Sequence, residues 1–285
     1  MKAGILNDFS LQTTDFSGLE NYTDVAFVNE YFGMARTIVP FFNNFIKEGQ
    51  PYRFTEVRVL WVVEGSADFE LTLEKYHVEK GDIMLFAPET IMELKSHSED
   101  YNMMGMIYKG NILANTNIII HPQQNEWHET LSLANILWNI ATRKPFPRET
   151  VEYLLNAIIS DIKDISKAAQ ELDSGIKKSR QEQIFMKFKK LVNEHCCVHR
   201  NIPFYAERLA LTPHYLSSVI SKVSGQSVMY WINRATLVYA KVLLNDKDTP
   251  IYEVAERLNF PNQSAFGLFF KRETGMTPGE YRRIE

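Results

Sequence analysis

ERLALTPHYLSSVISKVSG occupies residues 207–225, and ERLNFPNQSAFGLFFKRETG occupies residues 256–275. The two stretches are one pattern written twice. Each holds an apolar helical segment, a turn, a second helical segment with one polar face, and a closing glycine. Two helices joined by a tight turn is the plan of a helix-turn-helix DNA reader. Two such units on one chain suit two neighbouring stretches of one DNA face.

In the first copy, the spacing predicts a helix over 203–211 with Ala206, Leu209 and Ala210 inward. Thr212 then makes a good N-cap and Pro213 a good first helical residue. Leu216, Val219, Ile220 and Val223 follow at i, i+3, i+4 and i+7, which is a buried stripe. The opposite face carries His214, Ser217, Ser218 and Ser221, with Lys222 at its edge. All but the lysine are short or planar, and a hydroxyl can either donate to a base edge or accept from one.

A long helix over 227–246 links the copies, held by Trp231, Ile232, Leu237, Ala240, Val242 and Leu243. Arg234 and Lys241 on it are candidate phosphate contacts. The second copy begins with Ile251, Val254, Ala255 and Leu258 on a first helix, and Asn262 caps the second. Its buried stripe is Phe266, Phe269 and Phe270; its outer face is Gln263, Ser264, Gly267, Leu268 and Lys271. Gln pairs bidentately with adenine, Lys suits a phosphate, and a glycine lets the backbone come close. Residues 216–225 map onto 266–275, and one extra residue sits in the second turn.

The remaining 175 residues differ in character. They carry a net charge of −11, against +7 for residues 176–285, so the acidic front and basic back add to the overall −4. A basic domain suits a polyanionic partner. The 285-residue chain is long enough for two domains with a core in each. No stretch approaches the ~18 uninterrupted apolar residues of a membrane span, and the start reads as no signal peptide. Only two cysteines occur, Cys196 and Cys197, and adjacent cysteines make no disulfide framework. A cytoplasmic protein is expected. A zinc site within residues 194–199 is disfavoured by crowding; a cysteine there is expected to pack as a small hydrophobe.

From about residue 25 to 120 the pattern is of short strands. Residues 58–63 form a β-rich run closed by Glu64 and Gly65. Residues 67–73 alternate with period two, placing Phe69, Leu71 and Leu73 on one side. Residues 79–82 are a turn, and 83–86 and 103–108 are further strands. Regular short strands argue for a sandwich or barrel. Trp61, Phe69, Tyr76, Met84, Phe86 and Met104 are candidates to line an effector pocket, and equally candidates for ordinary core. From residue 125 the period becomes helical. Trp127, Leu131, Ala134, Ile136, Leu137 and Trp138 fit one helix, and Val151, Leu154, Leu155, Ile158, Ile159, Ile162 and Ile165 fit another. That second stripe is either core or a seam for a second subunit; with the helices outside the barrel, a homodimer contact is favoured. Residues 167–179 read as a polar linker.

Two resemblances follow. The order of strand, EG, strand, and YHVEKGDIMLFAP at 76–88 loosely resembles the cupin-like barrel at the front of AraC/XylS-type regulators. His77, His97 and His121 are isolated, short of the three close ligands of a catalytic metal site. No cofactor is expected. The match at the other end is specific. Residues 249–283, TPIYEVAERLNFPNQSAFGLFFKRETGMTPGEYRR, resemble the signature half of the AraC/XylS family. Ala255, Leu258 and Phe260 stand at its helix-and-turn positions, and Phe266, Phe270, Lys271, Gly275, Pro278, Tyr281 and Arg282 at those of its tail. An arginine common on both outer faces is replaced by Ser218 and Leu268, which removes the commonest guanine contact.

The resemblance implies a multidomain α+β chain: a cupin-like sensor barrel over 1–124, a helical dimerisation segment and linker over 125–179, and a DNA-binding domain over 180–285 with units near 203–225 and 251–275. It implies transcription regulation with double-stranded promoter or operator DNA as partner, a small-molecule effector, and RNA polymerase if the action is activation. The alternatives are a regulator without an effector, or a cupin-type enzyme fused to a DNA reader. A DNA-alkylation repair protein would need reactive cysteines ahead of the reader, and none precede Cys196.

Overall fold

The computed structural model describes residues 8–11, 14, 23–38, 46–110, 114, 116–173 and 179–284. The chain divides into two compact units, one of residues 8–71 and 75–175 and one of residues 176–285, with which residues 72–74 group.

The first unit holds strands β1 (Asp8–Phe9), β2 (Ala26–Val28), β3 (Phe32–Ala35), β4 (Pro51–Phe54), β5 (Val57–Glu64), β6 (Ser66–Leu71), β7 (Glu74–Glu79), β8 (Ile83–Phe86), β9 (Thr90–His97), β10 (Asn102–Tyr108) and β11 (Ile118–Ile120). They form two sheets, in the orders β1-β4-β9-β6-β7 and β11-β8-β5-β10-β3-β2. Among the described residues the sheets do not close on each other, so the expected barrel is a two-sheet sandwich with open edges. Gly65 makes the tight β5–β6 turn at φ +69, where an added Cβ would sit 2.7 Å from the Tyr101 Cα.

Two helices follow, α1 (Gln124–Ala141) and α2 (Arg148–Asp173). They pack on the outer face of the six-stranded sheet. Period-two alternation explains how one sheet serves two layers. Val57, Val59 and Trp61 of β5 join Ile83 and Leu85 of β8, Met104 and Met106 of β10, and the α2 stripe in one cluster. The intervening Val62, Met84 and Phe86 join Phe69, Leu71, Met92 and Leu94 between the sheets. On β10 the same alternation puts Met103, opposite Val62, on the inner side and Met104, opposite Trp61, on the helical side, and the register shift at Asn102/Met103 lies beyond them.

This packing corrects three expectations. Val151, Leu155, Ile158, Ile159 and Ile162 are buried against the sheet, so the α2 stripe is core and its need for cover is met within the chain. The expected linker begins too early: residues 167–173 continue α2, and 174–178 lie outside the described residues. Leu73 falls beyond β6, after Thr72 at φ 50, and does not extend the alternation.

The second unit is helical: α3 (Arg180–His195), α4 (Ile202–Arg208), α5 (Pro213–Ser224), α6 (Val228–Asn245), α7 (Ile251–Arg257), α8 (Gln263–Thr274) and α9 (Pro278–Ile284). It has two cores. Phe188, Val192, Cys196, Tyr205, Leu216, Val219, Ile220, Val228 and Ile232 form one. Ala240, Leu244, Val254, Leu258, Phe266, Phe269, Phe270 and Tyr281 form the other. The first half of α6 belongs to one core and its second half to the other, so a single helix spans both helix-turn-helix units.

Candidate nucleic-acid interface

Each unit is built from local signals the chain carries twice. In the first, the Thr212 side chain accepts from the Tyr215 amide (3.2 Å), Pro213 opens α5, and Gly225 closes it at φ 69. In the second, the Asn262 side chain accepts from the Ala265 amide (2.8 Å), and Gly275 closes α8 at φ 81. Between helices, Ala210 (φ 54) and Asn259 (φ 52) take the same left-handed conformation. The extra residue of the second copy therefore falls after this bend, where Phe260 and Pro261 replace Leu211.

The expected stripes are buried except for Val223, the last of the first, which is half-buried at the edge of the core. Leu216, Val219 and Ile220 are buried in α5, and Phe266, Phe269 and Phe270 in α8. The outer faces are turned to solvent: His214, Ser218, Ser221 and Lys222 on α5, and Gln263, Ser264, Leu268 and Lys271 on α8 are exposed. Leu268 is 73% exposed, far beyond what a core leucine shows. Gly267 is half-buried, yet a Cβ built there meets nothing within 4 Å, so its place on the outer face is open space. Ser217 is half-buried, and its hydroxyl donates to the Pro213 carbonyl (2.9 Å), which leaves it only acceptor capacity toward a base. Lys222 and Lys271 have no ion-pair partner among the described residues. The neighbouring Arg272 is bonded to Glu273 at 2.8 Å. The half-buried Arg234 donates to the Tyr230 hydroxyl (3.1 Å).

Three residues have organising contacts that the sequence reading did not assign. Arg200, just before α4, donates through Nη1 to the Leu258 carbonyl and through Nη2 to that of Asn259 (2.6 Å), and lies 3.7 Å above the Phe260 ring. Burial lowers its pKa from the ordinary arginine value. Asn259 answers by donating to the Val198 carbonyl (2.8 Å). This clasp joins the first head to the turn of the second. Arg282 has a comparable role: Nε donates to the Leu244 carbonyl (3.1 Å) and Nη2 to that of Thr249, which ties α9 to the end of α6. Only Arg282 carried a signal, its place in the signature tail.

The six pocket candidates do not converge. Phe69, Tyr76, Met84 and Phe86 lie together between the sheets, with Phe69 and Tyr76 stacked at 5.7 Å. Trp61 and Met104 lie on the other face of the sheet, under the helices, and Trp61 Nε1 donates to the Thr130 hydroxyl (3.2 Å). The three histidines are dispersed: His77 pairs with Asp68 (2.9 Å), His121 with Asp82 (2.7 Å), and His97 with the Ser98 carbonyl (2.9 Å). Bonds from His77 and Ser96 hold the Asp68 carboxyl below its usual value. Among the described residues, no three His, Cys, Asp or Glu side chains form a metal cluster.

Residues 205–284 match the family model of a helix-turn-helix domain. The HTH-type transcriptional regulator YijO of Escherichia coli is 26% identical over 141 residues, 49% of this chain and 48% of that protein. SoxS, a regulatory protein of Salmonella typhimurium, is 29% identical over 101 residues, 35% of this chain and 94% of SoxS. The arabinose operon regulatory protein of the same organism is 33% identical over 84 residues, 30% of each. The chain thus spans about half the length of YijO, and 10% of YtdP of Bacillus subtilis. Among solved structures, the C-terminal domain of AraT from Geobacillus stearothermophilus has 30% identity and a TM-score of 0.35 over 38% of this chain and 89% of that one. ToxT from Vibrio cholerae has 15% identity and a TM-score of 0.41 over 84% and 94%.

Proposed function

We propose that this chain, whose C-terminal part is an AraC-type helix-turn-helix domain, is a sequence-specific DNA-binding transcriptional regulator. The observation that carries the reading is the pair of helix-turn-helix units on one helix, α6, each turning an exposed polar helix face outward. Set in successive major-groove turns about 34 Å apart, α5 and α8 would each read a few bases. His214, Ser217, Ser218, Ser221, Asn262, Gln263, Ser264, Gly267 and Leu268 are the base-facing set. Lys222, Arg234 and Lys271 supply charge for phosphates. Because the two outer faces differ, the target is asymmetric.

The test is binding to the gene's own upstream region, read by gel shift and fluorescence anisotropy. Gln263→Ala is expected to cost about 1–3 kcal/mol at one base position and relax preference there. Lys271→Ala is expected to weaken all sequences alike and lower the salt slope by about one. Equal binding by wild type and the double variant would refute the assignment. Leu268 meets a thymine methyl better than guanine, which favours A·T at that step; a strong guanine preference there in selected sequences would contradict it.

The first unit is assigned a sensing role in the manner of cupin-like regulatory domains. A small effector would find its place between the sheets, beside Phe69, Tyr76, Met84 and Phe86, and no longer beside Trp61. Homodimerisation would use the outward side of α1 and α2, where Ile136 and Tyr153 are exposed; sedimentation of wild type against the I136E/Y153E variant tests it. An activator would also meet RNA polymerase.

A further inference from the structure

The two heads meet in two places. Along α6 they share one helix, and Tyr239, near its middle, packs against both cores while its hydroxyl donates to the Asn193 carbonyl (3.1 Å). Away from α6 they meet at residues 197–200. Cys197 packs against both cores there. Three hydrogen bonds cross between the heads at this point: two from Arg200 to the carbonyls of Leu258 and Asn259, and one from the Asn259 side chain back to the Val198 carbonyl (2.8 Å). An open groove of about 620 Å³ runs between the N-terminal half of α6 and α8, with Met229 and Asn233 on one side and Ala265 and Leu268 on the other. Arg200 and Phe260 also line it, and they touch, the guanidinium 3.7 Å from the ring. A longer and exposed bond joins Asn233 to Glu273 at 3.4 Å.

Two bodies that share one helix can still tilt about it, and the groove leaves room for that motion. A second attachment off the helix axis removes the tilt. The clasp is such an attachment. A planar guanidinium that bridges two successive carbonyls and lies on a ring holds its partners in one orientation, which a single point contact does not. Asn259 sits at the left-handed bend (φ 52) and returns a bond to the same segment that carries Arg200. The consequence for a bound duplex is geometric. One base pair of B-DNA advances about 3.4 Å and turns about 35°. A head free to tilt can follow a block of bases displaced by that much. A clasped head meets the block out of register or breaks its clasp to reach it.

We propose that Arg200 and Asn259 are positioning residues that set the spacing specificity of the protein: the clasp they form holds the two heads at one separation and angle, so the chain accepts one distance between the two blocks of bases and rejects sites one or two base pairs longer or shorter. Neither residue is in the base-facing set, and both act through the orientation of α8 relative to α5. The inference rests on the regulator reading above and adds to it the selection of spacing, which the outer faces of α5 and α8 do not supply.

The experiment takes the sequence protected by the full chain in the gene's own upstream region and inserts or deletes one and two base pairs between the blocks under α5 and α8. Fluorescence anisotropy gives the affinity of each site for wild type, Arg200→Met and Asn259→Gly. Glycine takes the left-handed bend without strain, so the second variant removes the bond to Val198 and keeps the backbone. Wild type is expected to bind at least about tenfold more weakly when the spacing changes by one base pair. In Arg200→Met the same change should cost about two- to threefold, with a loss of similar size at the native spacing because the tilt must be ordered on binding. Asn259→Gly should fall between the two. Residues that only supported the fold would weaken every spacing by one factor and leave the steepness of the profile as it is. That result, or a flat profile in wild type, overturns the proposal. Should Arg200→Met fail to fold, the profile of Asn259→Gly decides by the same criterion. A wild type that binds no DNA defeats the regulator reading and the proposal with it, whereas DNA binding with one profile shared by wild type and both variants overturns the proposal alone.

Discussion

The two helix-turn-helix units share a frame and differ in what holds it. Both have a left-handed bend, a side-chain N-cap and a closing glycine at matching places. The first is filled by Leu216, Val219 and Ile220; the second by three phenylalanines, with Phe260, Phe266, Phe269 and Phe270 meeting at centroid distances of 5.1 to 5.9 Å. Among the described residues the first bend takes no such clasp, whereas the second is gripped by Arg200 from outside its own head. A duplicated backbone plan therefore does not imply duplicated energetics. The second head carries its rings on its own turn and second helix and borrows one guanidinium; the first takes its rings, Phe188 and Tyr205, from α3 and α4 and fills α5 with aliphatic side chains.

The largest expected effect breaks the comparison at its core. Phe266 and Leu216 occupy equivalent positions, both fully buried. Phe266→Ala removes a ring and leaves the larger cavity, about 3–5 kcal/mol against about 2–5 for Leu216→Ala. Thermal unfolding with exchange read separately over α5 and α8 should show each head failing at its own site. Next comes Arg200→Met, which keeps the length of the side chain and removes its donors. Two carbonyls lose charge-assisted bonds, at about 1.5–3 kcal/mol each in favourable cases. Because Arg200 is only half-buried and water can replace it, the loss should sit near the lower figure. Exchange should quicken over α7 and the Asn259 bend and leave α4 and α5 unchanged; an equal rise in both heads would mean that the clasp is not selective.

The sequence carried the heads well because their signals are local. Thr212, Pro213 and Asn262 act within one turn, and a stripe at three- and four-residue spacing needs no knowledge of the partner. The front unit was less legible for the same reason. Period two tells that Trp61 and Val62 point opposite ways, but not that a helical pair covers one side and a second sheet the other. The stripe of α2 was visible, and its partner was not. The end of α2 was misread because Lys167 to Asp173 is polar, although Ala, Gln, Glu and Leu in that run are good helix formers. The clasp left no trace, since Arg200 meets carbonyls 58 and 59 residues away, and any side chain could present those carbonyls.

The smallest effect sharpens the comparison at the bend itself. Ala210 and Asn259 adopt nearly the same left-handed φ, a conformation that costs a residue with a Cβ about 1–2 kcal/mol, and that asparagine tolerates better. Asn259 has a use for its side chain in the bond to Val198, while Ala210 accepts the strain with no compensating side-chain bond. Ala210→Gly should relieve most of that strain, but glycine gains freedom in the unfolded chain worth about 0.4–1 kcal/mol, so the net gain should be at most about 1 kcal/mol. Asn259→Ala should go the other way, adding strain and removing a bond, at about 1–2 kcal/mol. Chemical denaturation of both variants checks the pair. Opposite signs would establish that the two bends are one backbone feature stabilised by different means, and a loss in both would mean that Ala210 is held in place by packing that glycine cannot supply.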